Sequence, residues 1–86
     1  MYEVVIHKKV SKELKRVPET YLRNFSALVN VLKTNPVPWR NFDIKKIKGA
    51  KGIYRVRIGD YRVVYFVDKE NQTIHVLKFE RREKVY

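Results

Sequence analysis

The sequence predicts an α+β domain spanning 1–86, with the element order β-α-α-β-β-β: an N-terminal strand, then a helical hairpin packed on one face of a small antiparallel sheet. Three observations carry this prediction. The apolar period changes from about 2 to about 3.6 residues after His7. Pro18 and the pair Asn35-Pro36 bracket a second helical period. Gly59-Asp60 joins two alternating apolar runs as a two-residue hairpin loop.

Tyr2 to His7, YEVVIH, is rich in Val and Ile and reads as a short strand. Val10, Leu14 and Val17 then follow i, i+4, i+7, which makes Lys8 to Arg16 a short helix with one apolar stripe and a basic opposite face. Proline is tolerated at the first helical position, and Glu19 favours a helix N-terminus. PETYLRNFSALVNVLKTN is therefore a second, longer helix starting at Pro18, with Tyr21, Phe25, Leu28 and Leu32 as its core stripe, broadened by Leu22 and Val29. Pro36 ends it, because the residue before a proline is pushed out of the α region. Residues 36–51, PVPWRNFDIKKIKGAK, read as an ordered loop or short irregular strand. Three strands follow, Ile53–Ile58, Tyr61–Val67 and Thr73–Phe79, and the tail ERREKVY is too short and polar for another.

The charge balance narrows the function. Twenty Lys and Arg against nine Asp and Glu give a formal net charge of +11, far beyond what solubility requires, so the partner is anionic and nucleic acid leads. A membrane surface is the other polyanion to weigh. No apolar run approaches the roughly 20 residues of a spanning helix and no signal-peptide core is visible, so a cytoplasmic protein is expected. The absence of Cys excludes disulfides, thiolate metal sites and cysteine nucleophiles, and fits a reducing compartment. The charge-dense, Cys-free composition leans towards a thermophilic source.

The hairpin GIYRVRIGDYRVVYFV, Gly52 to Val67, holds the candidate site. A Gly-Asp loop suits a type II′ turn, with Gly at the position that requires positive φ, and this fixes the register: Ile58 faces Tyr61, Arg57 faces Arg62, Val56 faces Val63, Arg55 faces Val64 and Tyr54 faces Tyr65. Paired residues point to the same side, so Arg55, Arg57 and Arg62 share one face while Tyr54, Val56, Ile58, Tyr61, Val63, Tyr65 and Val67 share the other, which awaits the helices. Like charges placed opposite each other cost some tenths of a kcal/mol up to about 1. A solvated sheet face normally mixes both signs; these two strands carry no acid on that face, and the planar guanidinium fork is suited to phosphate. The pattern reads as a phosphate-recognition surface on a rigid scaffold.

The same residues carry a resemblance. GIYRVRIGDYRVVY, followed by an apolar strand and a terminal R-R-x-x-V-Y from Arg81 to Tyr86, resembles the RelE/ParE superfamily of small toxins, as does the K-x-x-K-G-x-x-G run from Lys45 to Gly52. The likeness covers essentially the whole chain. It implies a toxin neutralised by an acidic RelB-like antitoxin: in the RelE branch a metal-independent endoribonuclease that cleaves mRNA in the ribosomal A site, in the ParE branch an inhibitor of DNA gyrase. The terminal Arg-plus-Tyr pattern favours the RelE side. By position, the resemblance implies that Arg55, Arg57, Arg62, Arg81 and Tyr86 are catalytic, and Lys45, Lys46, Lys48, Lys51 and Arg82 are assigned to RNA or ribosome binding. The family pattern often has Lys where this chain has Arg55 and Arg57. A guanidinium does not titrate usefully near neutral pH, so these two act through charge.

RNA is cleaved without metal when the 2′-OH attacks its own phosphate, a reaction that needs a base, an acid and stabilisation of the developing phosphorane. The arginines supply the last of these. Tyr86, with an ordinary pKa of about 10 that surrounding cations would lower, is the candidate base by resemblance; Arg81 is assigned to charge stabilisation. His7 and His75 read as structural histidines on strands, and which face His75 takes depends on a turn of four or five residues. No metal-ligand spacing or cofactor motif is present, so neither is expected. Trp39 and Phe42 read as a small satellite core under their loop, with a stacking platform beside the lysines as the second reading. A ParE-type gyrase inhibitor and a non-catalytic nucleic-acid-binding module remain the alternative functions.

Overall fold

The structure, a computed structural model, describes residues 1–81; Arg82 and Tyr86 lie outside the described residues. In chain order the elements are β1 Glu3–Ile6, α1 Lys8–Leu14, α2 Glu19–Leu32, β2 Asp43–Lys46, β3 Ile53–Ile58, β4 Tyr61–Asp68 and β5 Thr73–Arg81. The strands form one sheet of five, in the order β1-β5-β4-β3-β2. Both helices pack on one face of it, where Val10 and Val17 meet Phe25, Leu28 and Leu32 above Val56, Ile58, Val63, Tyr65, Val67, Ile74, Val76 and Phe79.

The hairpin register is as the Gly-Asp loop requires. Arg57 pairs with Arg62, Arg55 with Val64 and Ile58 with Tyr61, and Gly59 adopts φ +56. A β-carbon there would collide with the Tyr21 ring, so this glycine serves both the turn and the approach of α2. The aromatic contacts Tyr21–Tyr61, Tyr61–Phe79 and Phe25–Phe79, with centroids 4.9, 5.2 and 5.0 Å apart, bind that corner together.

Besides shifts of one to three residues at the ends of β1, α1, α2 and β4, the structure differs from the sequence reading as follows. The sheet is mixed, because β1 pairs with β5 in parallel: β5 runs against β4, and the path of the helical hairpin leaves β1 on the free edge of β5, pointing the same way. A fifth strand, β2, occupies part of the region read as loop or irregular strand. It has only one buried residue, Ile44, and is a strand because its backbone pairs with β3. Pro18 stands at the N-cap of α2 and not inside it, its carbonyl accepting from the Tyr21 and Leu22 amides. Strand β5 continues to Arg81, two residues past Phe79.

A bulge in β5 decides which of its side chains reach the arginine face. Val64 pairs with Lys78 but Tyr65 pairs with Val76, so Leu77 is the extra residue. Strict alternation would send Val76 and Phe79 to opposite faces; the bulge lets both enter the core, at 0% and 2% exposure. By the same step it puts His75, Lys78 and Glu80 together on the other face.

Candidate functional site

The face of the sheet away from the helices is built in rows, one residue per strand. One row runs Asp43, Arg57, Arg62, Glu80; the next runs Lys45, Arg55, Val64, Lys78. Rows lie about 6.7 Å apart along the strands, and neighbours within a row about 5 Å apart. Together Asp43, Lys45, Arg55, Arg57 and Arg62 line a concavity of about 150 Å³, room for a phosphate when one water occupies roughly 30 Å³ of liquid. Strand geometry alone brings these cations together, since neither β3 nor β4 has freedom to turn its residues away.

Arg62 is the most constrained of the group. It is half-buried, and its Nε is buried without a hydrogen-bond partner among the described residues. A buried N–H left unpaired costs about 1–3 kcal/mol, so Arg62 is held in place at some cost to the fold. Asp43 and Glu80 sit across from Arg57 and Arg62 yet form no ion pair with them; among the described residues the ion pair is Arg23–Glu19 on α2, at 3.5 Å. The arginines are thus moderated by flanking acids and remain available to a ligand.

Of the residues singled out from sequence, Arg55, Arg57, Arg62 and Lys45 converge. Lys46 pairs with Tyr54 and is exposed towards the helix side, while Lys48 and Lys51 are exposed in the turn between β2 and β3. Arg81 pairs with Tyr61, which places it at the end of β5 on the helix side, opposite to Arg62. The Trp39–Phe42 satellite core is half right: Phe42 packs against the core, but Trp39 is 60% exposed. Asp43, Lys78 and Glu80 were not legible as site residues, since the first depends on β2 pairing and the others on the bulge.

His75 lies on the arginine face, in the row Ile53, Phe66, His75, Val5. Phe66 is four residues from Arg62 along β4, about 13 Å, so the imidazoles are too distant to exchange protons with a phosphate held by the arginines. Behind the site, Tyr65 is buried, and its hydroxyl donates to the Pro36 carbonyl at 2.8 Å. Burial first, and the neighbouring Tyr54 second, push its pKa well above the ordinary tyrosine value.

This combination of fold and arginine hairpin matches known proteins. The family model described as ParE toxin of type II toxin-antitoxin system, parDE, matches residues 4–86. The chain belongs to the RelE/ParE toxin family. Among its relatives, a Methanocaldococcus jannaschii protein named as a RelE1 toxin is 47% identical over 85 residues, 99% of this chain and 94% of its own length. Among solved structures, the archaeal RelE–RelB complex from Pyrococcus horikoshii OT3 contains a chain that superposes with a TM-score of 0.88 at 38% identity, covering 98% of both chains. The RelB–RelE antitoxin–toxin complex from Methanococcus jannaschii gives a TM-score of 0.78 at 28% identity, over 91% of this chain and 89% of that one. This member of the family is accordingly a RelE-type toxin of a type II toxin–antitoxin system. Among its described residues no helix is long and apolar enough to cross a membrane.

Proposed function

We propose that the protein is a ribosome-dependent endoribonuclease that cleaves mRNA in the ribosomal A site. The observation that carries this reading is the concavity in which Lys45, Arg55, Arg57 and Arg62 converge beside Asp43. In the proposed reaction the substrate's 2′-oxygen attacks the adjacent phosphorus, the P–O5′ bond breaks, and a 2′,3′-cyclic phosphate and a free 5′-OH result. The arginines hold the phosphate and stabilise charge on its equatorial oxygens; each such donor is worth about 10²–10³ in rate. Tyr86 takes the 2′-OH proton, and Arg81 contributes positive charge from the end of β5. The leaving oxygen's proton comes from solvent or the ribosome, because the arginines retain theirs.

Lys46, Lys48, Lys51 and Arg82 serve as phosphate contacts to RNA, which secure position more than chemistry. The protein acts where ribosomes are, in the cytoplasm. An acidic RelB-like antitoxin neutralises it, a reading supported by the relatives solved as RelE–RelB complexes and by the net charge of +11. The gyrase-inhibitor alternative is disfavoured by the RelE names of these relatives.

Single-turnover cleavage of mRNA on programmed ribosomes, with 5′-end mapping, tests the reading. Cuts confined to the A-site codon are expected. Tyr86→Phe should lower the rate with ribosome binding retained, and Arg81→Ala should cost less than Arg62→Ala because of its place across the sheet. Intact mRNA together with gyrase-dependent DNA breaks would overturn the assignment.

A further inference from the structure

Sixty-eight residues apart in sequence, His7 and His75 meet with His7 Nε2 3.3 Å from His75 Nδ1. Neither imidazole has another evident task. His7 occupies the N-cap of α1 but makes no side-chain cap, and the further contact of His75 is a stack on Phe66, centroids 6.2 Å apart. The two nitrogens are hydrogen-bonded, which of them donates depending on the tautomer, and their separation lies at the long end of N–H donor bonds. It equals the bite of a chelate: two imidazole nitrogens each about 2.0–2.1 Å from a tetrahedral ion stand roughly 3.3–3.4 Å apart. The rings meet edge to face at 80°, with centroids 5.5 Å apart, against about 5.2 Å for an ideal chelate of that bite. A tilt of under roughly 20° per ring closes the difference, within the broad torsional well of a histidine χ2.

From this juxtaposition we infer that His7 and His75 form a binding site for a divalent transition-metal ion of the Cu²⁺, Ni²⁺ and Zn²⁺ class, completed by water. Two neutral imidazoles select such ions over Mg²⁺ or Ca²⁺, which take oxygen ligands. His7 is exposed and His75 half-buried, so the ion has access and open coordination positions. Acids lie on this end of the face: Glu3, Thr73 and Asp68 form the row beyond His75, and Asn71 hydrogen-bonds both Asp68 carboxylate oxygens, at 3.2 and 2.8 Å. They lend negative potential where the arginine end has none to spare, while Lys78 opposes them. The ion would join the β1–α1 junction to β5, tightening an edge strand held by only four parallel residue pairs. The site is independent of the arginine chemistry.

The test uses the full chain without an affinity tag. Thermal melts are recorded with Cu²⁺, Ni²⁺, Zn²⁺ and Mg²⁺, on the parent and on His7→Asn and His75→Asn. Expected is a rise in Tm of roughly 5–10 °C at a tenfold excess over Kd, largest for Cu²⁺, absent for Mg²⁺, and reduced by a tenfold or greater loss of affinity in either variant. In the parent, substoichiometric Cu²⁺ should broaden the NMR signals of His7, His75, Val5 and Phe66 first, a readout that needs no variant to fold. No transition-metal shift in the parent, equal shifts in both variants, or first broadening elsewhere would overturn the inference.

Discussion

Replacing Arg62 with methionine should make the protein more stable and far less active. The substitution keeps an unbranched stem of comparable reach, so packing against the sheet is preserved, and removes the guanidinium. Three contributions set the change in stability. Relief of the directly opposed Arg57–Arg62 pair contributes about 0.2–1 kcal/mol. Removal of the buried, unpaired Nε contributes about 1–3 kcal/mol. Lost attraction to Asp43 and Glu80, which make no close ion pair, costs about 0–1 kcal/mol. The net is a stabilisation of about 2 kcal/mol, within a span of roughly 0.2–4, and a Tm higher by roughly 8–16 °C for a domain of this size. Single-turnover cleavage on programmed ribosomes should fall about 10²–10³-fold, a loss of about 2.7–4 kcal/mol of transition-state stabilisation. A function-bearing residue is commonly one that strains the fold. A variant that melts below the parent, or that cleaves within about threefold of it, would refute the argument, showing Arg62 to be a structural residue or a solvated one.

Binding to single-stranded RNA should weaken with salt at a log–log slope of about −0.7 per neutralised phosphate, and neutralising Arg55 or Arg57 should reduce the slope by about that amount; slopes unchanged in both variants would place the phosphate contacts elsewhere. Gly59→Ala should destabilise by about 2–4 kcal/mol, measured by denaturant melts, since the residue is held at φ +56 and its new methyl meets Tyr21. Because burial raises the Tyr65 pKa in the folded state, its contribution to stability is complete below the unfolded tyrosine pKa of about 10 and is lost as pH rises beyond it. Urea melts from pH 8 to 11 should show this loss in the parent and a smaller one in Tyr65→Phe, which would also melt lower at pH 8 for want of the bond to Pro36. At the acid end, the bonds from Asn71 hold the Asp68 carboxyl below the usual range. Their stabilisation is therefore complete above about pH 4 and fades as pH falls through the depressed native value; Asn71→Ala removes the side-chain bond and keeps the backbone one, so it should diminish that part of the acid response without abolishing it.

The sequence by itself determined whatever depends on near neighbours along the chain. A two-residue Gly-Asp turn admits one register, and that register alone places Arg55, Arg57 and Arg62 on one side and Val56, Val63 and Tyr65 on the other. Helical periodicity likewise selected Val10, Phe25, Leu28 and Leu32 for burial, because a stripe at that spacing has one apolar side to hide. What only the tertiary structure decided depends on pairing between distant segments. Asp43–Lys46 has too little apolar pattern to announce a strand and becomes one when β3 offers its open edge. The partner of β1 is chosen by the path of the helical hairpin, which no local signal encodes. Leu77 is a bulge because Val76 and Phe79 both bury against the helices. From that one extra residue follows the placement of Glu80 beside Arg62, while the meeting of His75 with His7 follows from the pairing of β1 with β5. Local geometry is written in spacing, whereas the choice among open strand edges is made by the burial and backbone hydrogen bonds that close them.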